Sequence, residues 1–398
     1  MFYDIKKIRK ELKSWKIPEQ FFSINLEEFF KTDITMLISI RENAGKTTSG
    51  LLLGLALFKL YGITTEYLRS DTAQIRKKSV INLYENVRQF GYFEKAFGKN
   101  GWNDVTYQAM TRKFYLCKKD ENGEIIEKHP EPLCVCHSNE EAESIKSSYN
   151  NPKGNFIFYD EFMDTARMTL NQWEEFMTNI STIGRITTRL EDDGETPLAH
   201  SLMTGNNKSM YSPWFDDFCI QEEISKLKFG QYFKVNTDLG TSLLVQLLDQ
   251  SEEFKERVKR GKIHFYGYNT KKAAQFTGIT EWSGKTYPHM KFPLRDLRPV
   301  FNRFYIKHRN RFVQVELYKK DFYFCFAHFS YEPKYDDNII LTLDPEQLQE
   351  VYGFGEYDMR KKTFEVIRIF IRLLNENRWF YASNFVGEIV DDYAKNIK

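Results

Sequence analysis

Long apolar runs are missing from this 398-residue sequence. None approaches the about 18 consecutive apolar residues that a membrane-spanning helix needs. The opening stretch MFYDIKKIRKELKSW also lacks the apolar centre of a secretory signal, so a soluble, intracellular protein with no membrane partner is expected. Cysteine is scarce and odd in number: Cys117, Cys134, Cys136, Cys219 and Cys325. That argues for reduced thiols rather than a disulfide frame. Neither charge dominates, since 57 Lys and Arg face 55 Asp and Glu for a net +2. Contact with nucleic acid must therefore rest on a local patch, not a global field. Internal repeats and low-complexity tracts are absent too.

Material for a core is abundant: 41% of residues are hydrophobic and 16% aromatic, with 34 Phe and 23 Tyr. This excludes long disorder. The length suits two domains with a small piece between them. A short amphipathic helix, IRKELKSW, precedes a buried strand over Thr35 to Ile40, and TTSGLLLGLALFKLYG then reads as a helix closed by Gly62. TTEYLRS is a second strand, and TAQIRKKSVINLYENVRQFG a second helix with Ile75, Val80, Leu83 and Val87 along one side. From Val105 the period changes to two, and VTYQAM, RKFYLCKKD and the Asn122-Gly123 turn read as a β insertion. The β-α-β pattern resumes with GNFIFYDEF, a helix at about 170 to 182 and the strand LAHSLMTGN. Strands alternating with helices imply a largely parallel sheet. Residues 220 to 282 carry few strand signals, and linkers are expected near 225 to 235 and 282 to 297. Beyond them, FNRFYIKHRN, RFVQVELYKK, DFYFCFAHF and NIILTLD are strand-like, followed by a helical tail.

The chemistry concentrates in two places. A phosphate loop works because backbone N–H groups at a helix N-terminus converge on phosphate, a lysine neutralises charge and the next hydroxyl reaches Mg2+. Gly45, Lys46, Thr47 and Thr48 supply the end of that device. Arg41, Asn43 and Ala44 lie in the loop, while Ile40 stands where the motif has its first glycine. The second place is FIFYDEF, where Asp160 and Glu161 end a buried strand. The carboxyl ends of parallel strands are where such sheets bind ligands. Asp160 would hold Mg2+ with Thr47, and Glu161 would orient and deprotonate water. Glu161 beside Asp160 points to the P-loop branch with a catalytic glutamate and an additional strand. SLMTGNN offers Thr204 and Asn206 as γ-phosphate sensors, and STIGRITTR offers Arg185 and Arg189 as arginine fingers for a neighbouring subunit.

In this order, ITMLISIRENAGKTT, EYLRSDTAQIRKK, ESIKSSYNNPKGNFIFYDEF and SLMTGNNKSMYSPWF resemble the DNA-packaging (encapsidation) ATPases of φ29-type phages, relatives of the large terminase subunits. The resemblance runs through most of the chain. It implies an α/β P-loop ATPase domain over 1–225, a linker or lid subdomain over 226–285 and a nuclease-like, RNase H-like C-terminal domain over 286–398. It implies a homomeric ring, a pentamer in that family, that uses ATP and Mg2+ to drive double-stranded DNA through the portal (connector) protein into a procapsid. Such a protein works in the host cytoplasm at the portal vertex and is absent from the mature virion. Some members dock through a structural packaging RNA. By the same resemblance Lys146 lines the pore and touches DNA phosphate, and Arg69, Arg76, Lys77 and Lys78 lie in a second pore segment. Two other readings stay open: a terminase large subunit with an active nuclease, and a non-translocating portal- or RNA-binding protein.

The C-terminal strands carry bases where a two-metal nuclease needs buried acids, and Asp336 and Asp337 fall in a turn-like KYDDN. A nuclease-like fold without cleavage is expected. Arg303, Lys307, Arg309, Arg311, Lys319 and Lys320 alternate with Phe and Tyr there. This suits either a nucleic-acid or portal contact or the solvated face of a sheet. Cys134, Cys136 and His137 invite a zinc site, but no second ligand pair follows at useful spacing, so CVCH reads as a structural strand.

Overall fold

A computed structural model describes the chain over residues 3–18, 22–39, 45–76, 80–143, 156–163, 171–184, 199–206, 212, 214–215, 218, 220–236, 240–249, 287–288, 294, 297–300, 303–308, 311–331, 333, 339–342 and 368–397. The chain forms two compact units, Met1–Ser283 and Gly284–Lys398. No helix among the described residues is long and apolar enough to cross a membrane.

The first unit is built on ten strands: β1 (Ile34–Ser39), β2 (Thr65–Arg69), β3 (Asp104–Gln108), β4 (Lys113–Lys119), β5 (Ile125–Lys128), β6 (Cys134–Ser138), β7 (Phe156–Asp160), β8 (His200–Asn206), β9 (Tyr232–Asn236) and β10 (Ser242–Leu247). Their order is β3-β4-β6-β2-β7-β8-β1-β10-β9, with β5 pairing β4 outside that path. The six central strands, β6-β2-β7-β8-β1-β10, are all parallel. The flanking β3, β4, β5 and β9 are antiparallel. All six residues of β1 and all five of β7 are buried, as befits strands covered on both faces.

Each face carries its own core. On one lie α1 (Ile5–Ser14) and α2 (Lys46–Tyr61). Asp4 caps α1 by accepting the Lys7 N–H. Every residue of α2 from Thr48 to Phe58 is buried, so this helix is apolar all round because protein surrounds it. Gly50 lets it lie close on the sheet: a Cβ there would meet the Phe158 ring at 2.5 Å. The other face is filled by α3 (Asn171–Gly184) together with Trp214, Phe215 and Phe218.

Two expectations change. The helix expected over 72–91 is broken: Asp71 accepts the Ala73 N–H and starts a 3-10 turn, Thr72–Ile75, which Arg76 ends in extended conformation. Among the described residues Val80 is again helical, turns follow, and a short helix spans Glu85–Gln89. Ile75, Val80 and Val87 are nonetheless buried, so the apolar period marked the core-facing side without a continuous helix. The segment expected to begin a linker at 226 instead gives β9 and β10 to the main sheet, with β10 alongside β1. Residues 250–286 lie outside the described residues.

The second unit holds a five-stranded sheet, β14-β11-β12-β13-β15. Its strands are β11 (Phe304–His308), β12 (Arg311–Lys319), β13 (Tyr323–Ser330), β14 (Ile339–Thr342) and β15 (Trp379–Tyr381). β11, β12 and β13 form an antiparallel meander, and β14 and β15 add to its two edges in parallel. The final helix, α4 (Asn384–Ile397), packs on this sheet.

Candidate nucleotide site

The carboxyl ends of β1, β2, β7 and β8 and the N-terminus of α2 converge on one set of polar side chains. Gly45 makes the turn from strand to helix in the left-handed region, at φ 60°, a conformation that costs an L-residue about 1–2 kcal/mol and glycine nothing comparable. The N-terminal N–H groups of α2 beyond it form the kind of anion-binding end that a phosphate seeks.

Lys46 turns back along the strand end. Its Nζ donates to Ser39 Oγ at 2.6 Å and to Asn206 Oδ1 at 3.1 Å. Burial pushes its pKa down to about 8, against the pull of the Asp160 and Glu161 carboxylates. Thr47 donates its hydroxyl to Asp160 at 3.0 Å from Oδ1 and 3.2 Å from Oδ2. Asp160 also accepts from the buried Thr204 hydroxyl, from Tyr67 Oη at 3.2 Å and from Arg69 Nη1 at 3.1 Å. Arg69 Nη2 reaches Glu161 Oε2 at 2.6 Å. Burial, then the Asp160 charge, raises the Tyr67 pKa far above its ordinary value, so its hydroxyl stays a donor. Burial works against the charge on Arg69, but Tyr67, Asp160 and Glu161 outweigh it and its pKa is raised. These residues set two cations, Lys46 and Arg69, against two carboxylates.

Glu161 adopts φ 58°, unusual for a residue with a side chain. The turn sends the chain back so that the Phe162 N–H donates to the Thr204 carbonyl at 3.0 Å. It also leaves the Glu161 carboxylate 49% exposed while Asp160 is 4% exposed. One acid is enclosed among donors and the other faces solvent, as a metal ligand and a water-orienting base require. The donor set Thr47 and Asp160 is hydroxyl and carboxylate oxygen, the hard chemistry that Mg2+ takes. The arrangement fits a nucleoside triphosphate with Mg2+: backbone N–H groups and Lys46 for phosphate, Thr47 and Asp160 for the ion, Glu161 for water.

The structure thus brings together Gly45, Lys46, Thr47, Asp160, Glu161 and Asn206. Thr48 is buried in the first turn of α2. Thr204, expected as a sensor, points at Asp160 instead. Arg69, expected at a DNA-contacting segment, sits on the two acids and is 17% exposed. The reason is register: Tyr67 pairs with Phe158 and Leu68 with Tyr159, which carries Arg69 alongside Asp160. Tyr67 and Ser39 escaped the sequence reading; residues two apart on a strand share a face, and that was the available signal for Tyr67 beside Arg69. Arg76 is exposed. Ile40, Arg41, Asn43, Ala44, Lys77, Lys78, Lys146, Arg185 and Arg189 lie outside the described residues. Cys134 and Cys136 are buried on β6 and His137 meets Glu66 at 2.6 Å. In the second unit Lys307 lies over Phe312 and Lys319 over Tyr323.

No protein-family model and no curated protein matches the sequence. Among solved structures, the Phi-28 gp11 DNA packaging motor matches with a TM-score of 0.52 and 16% identity, over 96% of this chain and 99% of that one. The bacteriophage Phi-29 viral genome packaging motor assembly matches with a TM-score of 0.51 and 12% identity, over 95% of this chain and 100% of that one. Identities this low speak for fold alone. The resemblance carried by the ordered motifs is met by the architecture: in fold, this chain is similar to the packaging motors of Phi-28 and Phi-29 along nearly its whole length.

Proposed function

We propose that the chain is an ATP-driven motor that moves double-stranded viral DNA into a preformed capsid through the portal. The carrying observation is the meeting of Lys46, Thr47, Asp160, Glu161 and Asn206 at the ends of adjacent parallel strands, in a chain whose fold is similar to packaging motors. β8 inserted between β1 and β7 supports placing the first unit in the additional-strand, catalytic-glutamate branch of P-loop ATPases. Lys46 and the N–H groups of α2 bind the phosphates, Thr47 and Asp160 hold Mg2+, and Asn206 faces the γ-phosphate. Glu161 accepts a proton from the attacking water. Held by Thr47 and Asp160, Mg2+ would supply positive charge against the phosphates.

The rest of the proposal follows the family resemblance. The subunits form a homomeric ring, a pentamer, on the portal vertex in the host cytoplasm, with or without a packaging RNA. Arg185 or Arg189 reaches the neighbour's phosphates, Arg41, Asn43 and Ala44 complete the loop, and Lys146, Arg76, Lys77 and Lys78 grip DNA. The rest of the 226–285 segment, beyond β10, is a linker or lid, and residues 286–398 form a nuclease-like domain without cleavage activity.

The deciding measurement is DNA-stimulated ATP hydrolysis. Lys46→Ala should abolish nucleotide binding, while Glu161→Gln should bind ATP without turnover; turnover by that variant would remove the assigned base. Alanine at Arg185 and Arg189 together should lower only the rate that depends on subunit assembly. Cleavage of plasmid DNA with Mg2+ or Mn2+ would favour a nuclease-bearing terminase subunit.

A further inference from the structure

Of the two cations set against the acids at the end of β7, Lys46 and Arg69, it is Arg69 that is in direct contact with both acids. Arg69 donates from Nη1 to Asp160 Oδ2 at 3.1 Å and from Nη2 to Glu161 Oε2 at 2.6 Å. Asp160 also accepts from the hydroxyls of Thr47, Tyr67 and Thr204. Hydroxyls stabilise a carboxylate but do not cancel its charge, and a carboxylate only 4% exposed is costly without a cation beside it. Arg69 supplies that cation from the neighbouring strand, in a position set by the β2–β7 register. A divalent ion on the same carboxylate would lie next to the guanidinium. Two cations that close, in a site poorly reached by solvent, repel strongly.

We infer that Arg69 is a built-in counter-cation that competes with Mg2+ for Asp160, so that the metal enters only as the guanidinium withdraws. The inference rests on the nucleotide-site reading above. It separates two halves of the site. Lys46 and the N-terminus of α2 contact phosphate independently of Arg69 and accept metal-free nucleotide with the Arg69–Asp160 pair in place. The metal half opens only when that pair breaks. Before nucleotide arrives, the chain therefore holds divalent ions weakly despite two adjacent carboxylates.

The test uses the full chain and Mn2+ alone as the probe of the metal half, followed by electron paramagnetic resonance, with a fluorescent ADP analogue in EDTA reporting the phosphate half. Arg69→Gln and Arg69→Met remove the charge; Arg69→Lys keeps it. Without nucleotide, the neutral variants should bind Mn2+ at least about tenfold more tightly than the wild type. Arg69→Lys should stay within about threefold of wild type, since it retains the charge and loses only the fork geometry. Adding Asp160→Asn to Arg69→Gln should abolish the gain. ADP binding in EDTA should be unchanged in all Arg69 variants. A neutral variant that keeps ADP binding but gains no Mn2+ affinity overturns the inference. So does loss of ADP binding in EDTA by both neutral variants, which would make Arg69 a strut or phosphate ligand instead of a competitor. Failure of the underlying reading looks different: the wild type itself would bind no nucleotide, with Mg2+ or without it.

Discussion

Replacing Glu161 by glycine and, separately, by alanine isolates its backbone from its side chain. Both changes delete the carboxylate and the contact with Arg69. That contact is shared with solvent on the Glu161 side, which is 49% exposed, and such a pair contributes at most about 1 kcal/mol. It cancels in the comparison. What differs is the backbone. At an ordinary position glycine is less stable than alanine by about 0.5–1 kcal/mol, through the extra freedom of its unfolded chain. At φ 58° the Cβ of alanine costs about 1–2 kcal/mol, so the order reverses and the glycine variant should be more stable by about 1 kcal/mol. With an m-value of about 3 kcal/mol/M in urea, the midpoints should differ by about 0.3 M. Urea unfolding of the two variants, followed by fluorescence, reads this directly. An alanine variant as stable as the glycine variant, or more so, would refute the claim that Glu161 is held in a strained turn. Neither variant should hydrolyse ATP. The strain would then exceed what the half-exposed Arg69–Glu161 pair, the contact given for this side chain, contributes.

Lys46, with its pKa near 8 in the empty site, should take up a proton when phosphate binds above that pH. Calorimetry in buffers of different ionisation enthalpy should show the uptake, and affinity should fall by up to about tenfold per pH unit above 8. For the empty chain the sign is opposite: the folded pKa lies below the ordinary 10.5, so this group favours the folded state increasingly from about pH 8 upward. Gly50→Ala places a methyl 2.5–2.8 Å from the Phe158 ring and should lower stability by about 1–3 kcal/mol, seen as a lower thermal midpoint. Thr204→Val keeps the shape but removes a buried donor to Asp160. It should cost about 1–3 kcal/mol, measured by urea unfolding, and raise the Mg2+ concentration needed for tight ATP binding.

The end of β7 was legible because FIFY is an uninterrupted apolar run that stops at Asp160, and that of β1 because a mostly apolar strand, Ile34–Ser39, is followed six residues later by Gly45, Lys46 and Thr47. The C-terminal meander was legible because β11, β12 and β13 are rich in Phe and Tyr and close together in sequence. β9 and β10 were not. Phe233 and Val235 are only half-buried between the exposed Tyr232, Lys234 and Asn236, a short alternation beside β10, which is itself seated on β1. The helix expected after β2 failed not at its start, which Asp71 caps, but at Arg76, whose extended backbone ends the turn after four residues. Arg69 was misread for a different reason. A basic residue after a strand looks solvent-facing, and its true partners are 91 and 92 positions away. Register across β2 and β7 brings them together, and register is a property of the folded sheet.

That dependence on register is sharpest at β8. Inserted between β1 and β7, it pairs Asn206 with Ser39 on one side and Thr204 with Asp160 on the other. Thr204 and Asn206 are two apart and so face the same way. Thr204 donates to the acid assigned to the metal, and Asn206 accepts from the lysine assigned to phosphate. One strand thus ties together the two halves of the site, and a slip of one residue would turn both side chains to the opposite face at once. Ser39 from β1 also accepts from the lysine, at 2.6 Å, so on the proposed reading phosphate competes with an existing set of hydrogen bonds for Lys46. Capture frees Asn206, two residues from the group that orients Asp160. On the proposed reading, β8 therefore sets a partner of the phosphate lysine and a partner of the metal acid two residues apart on one face.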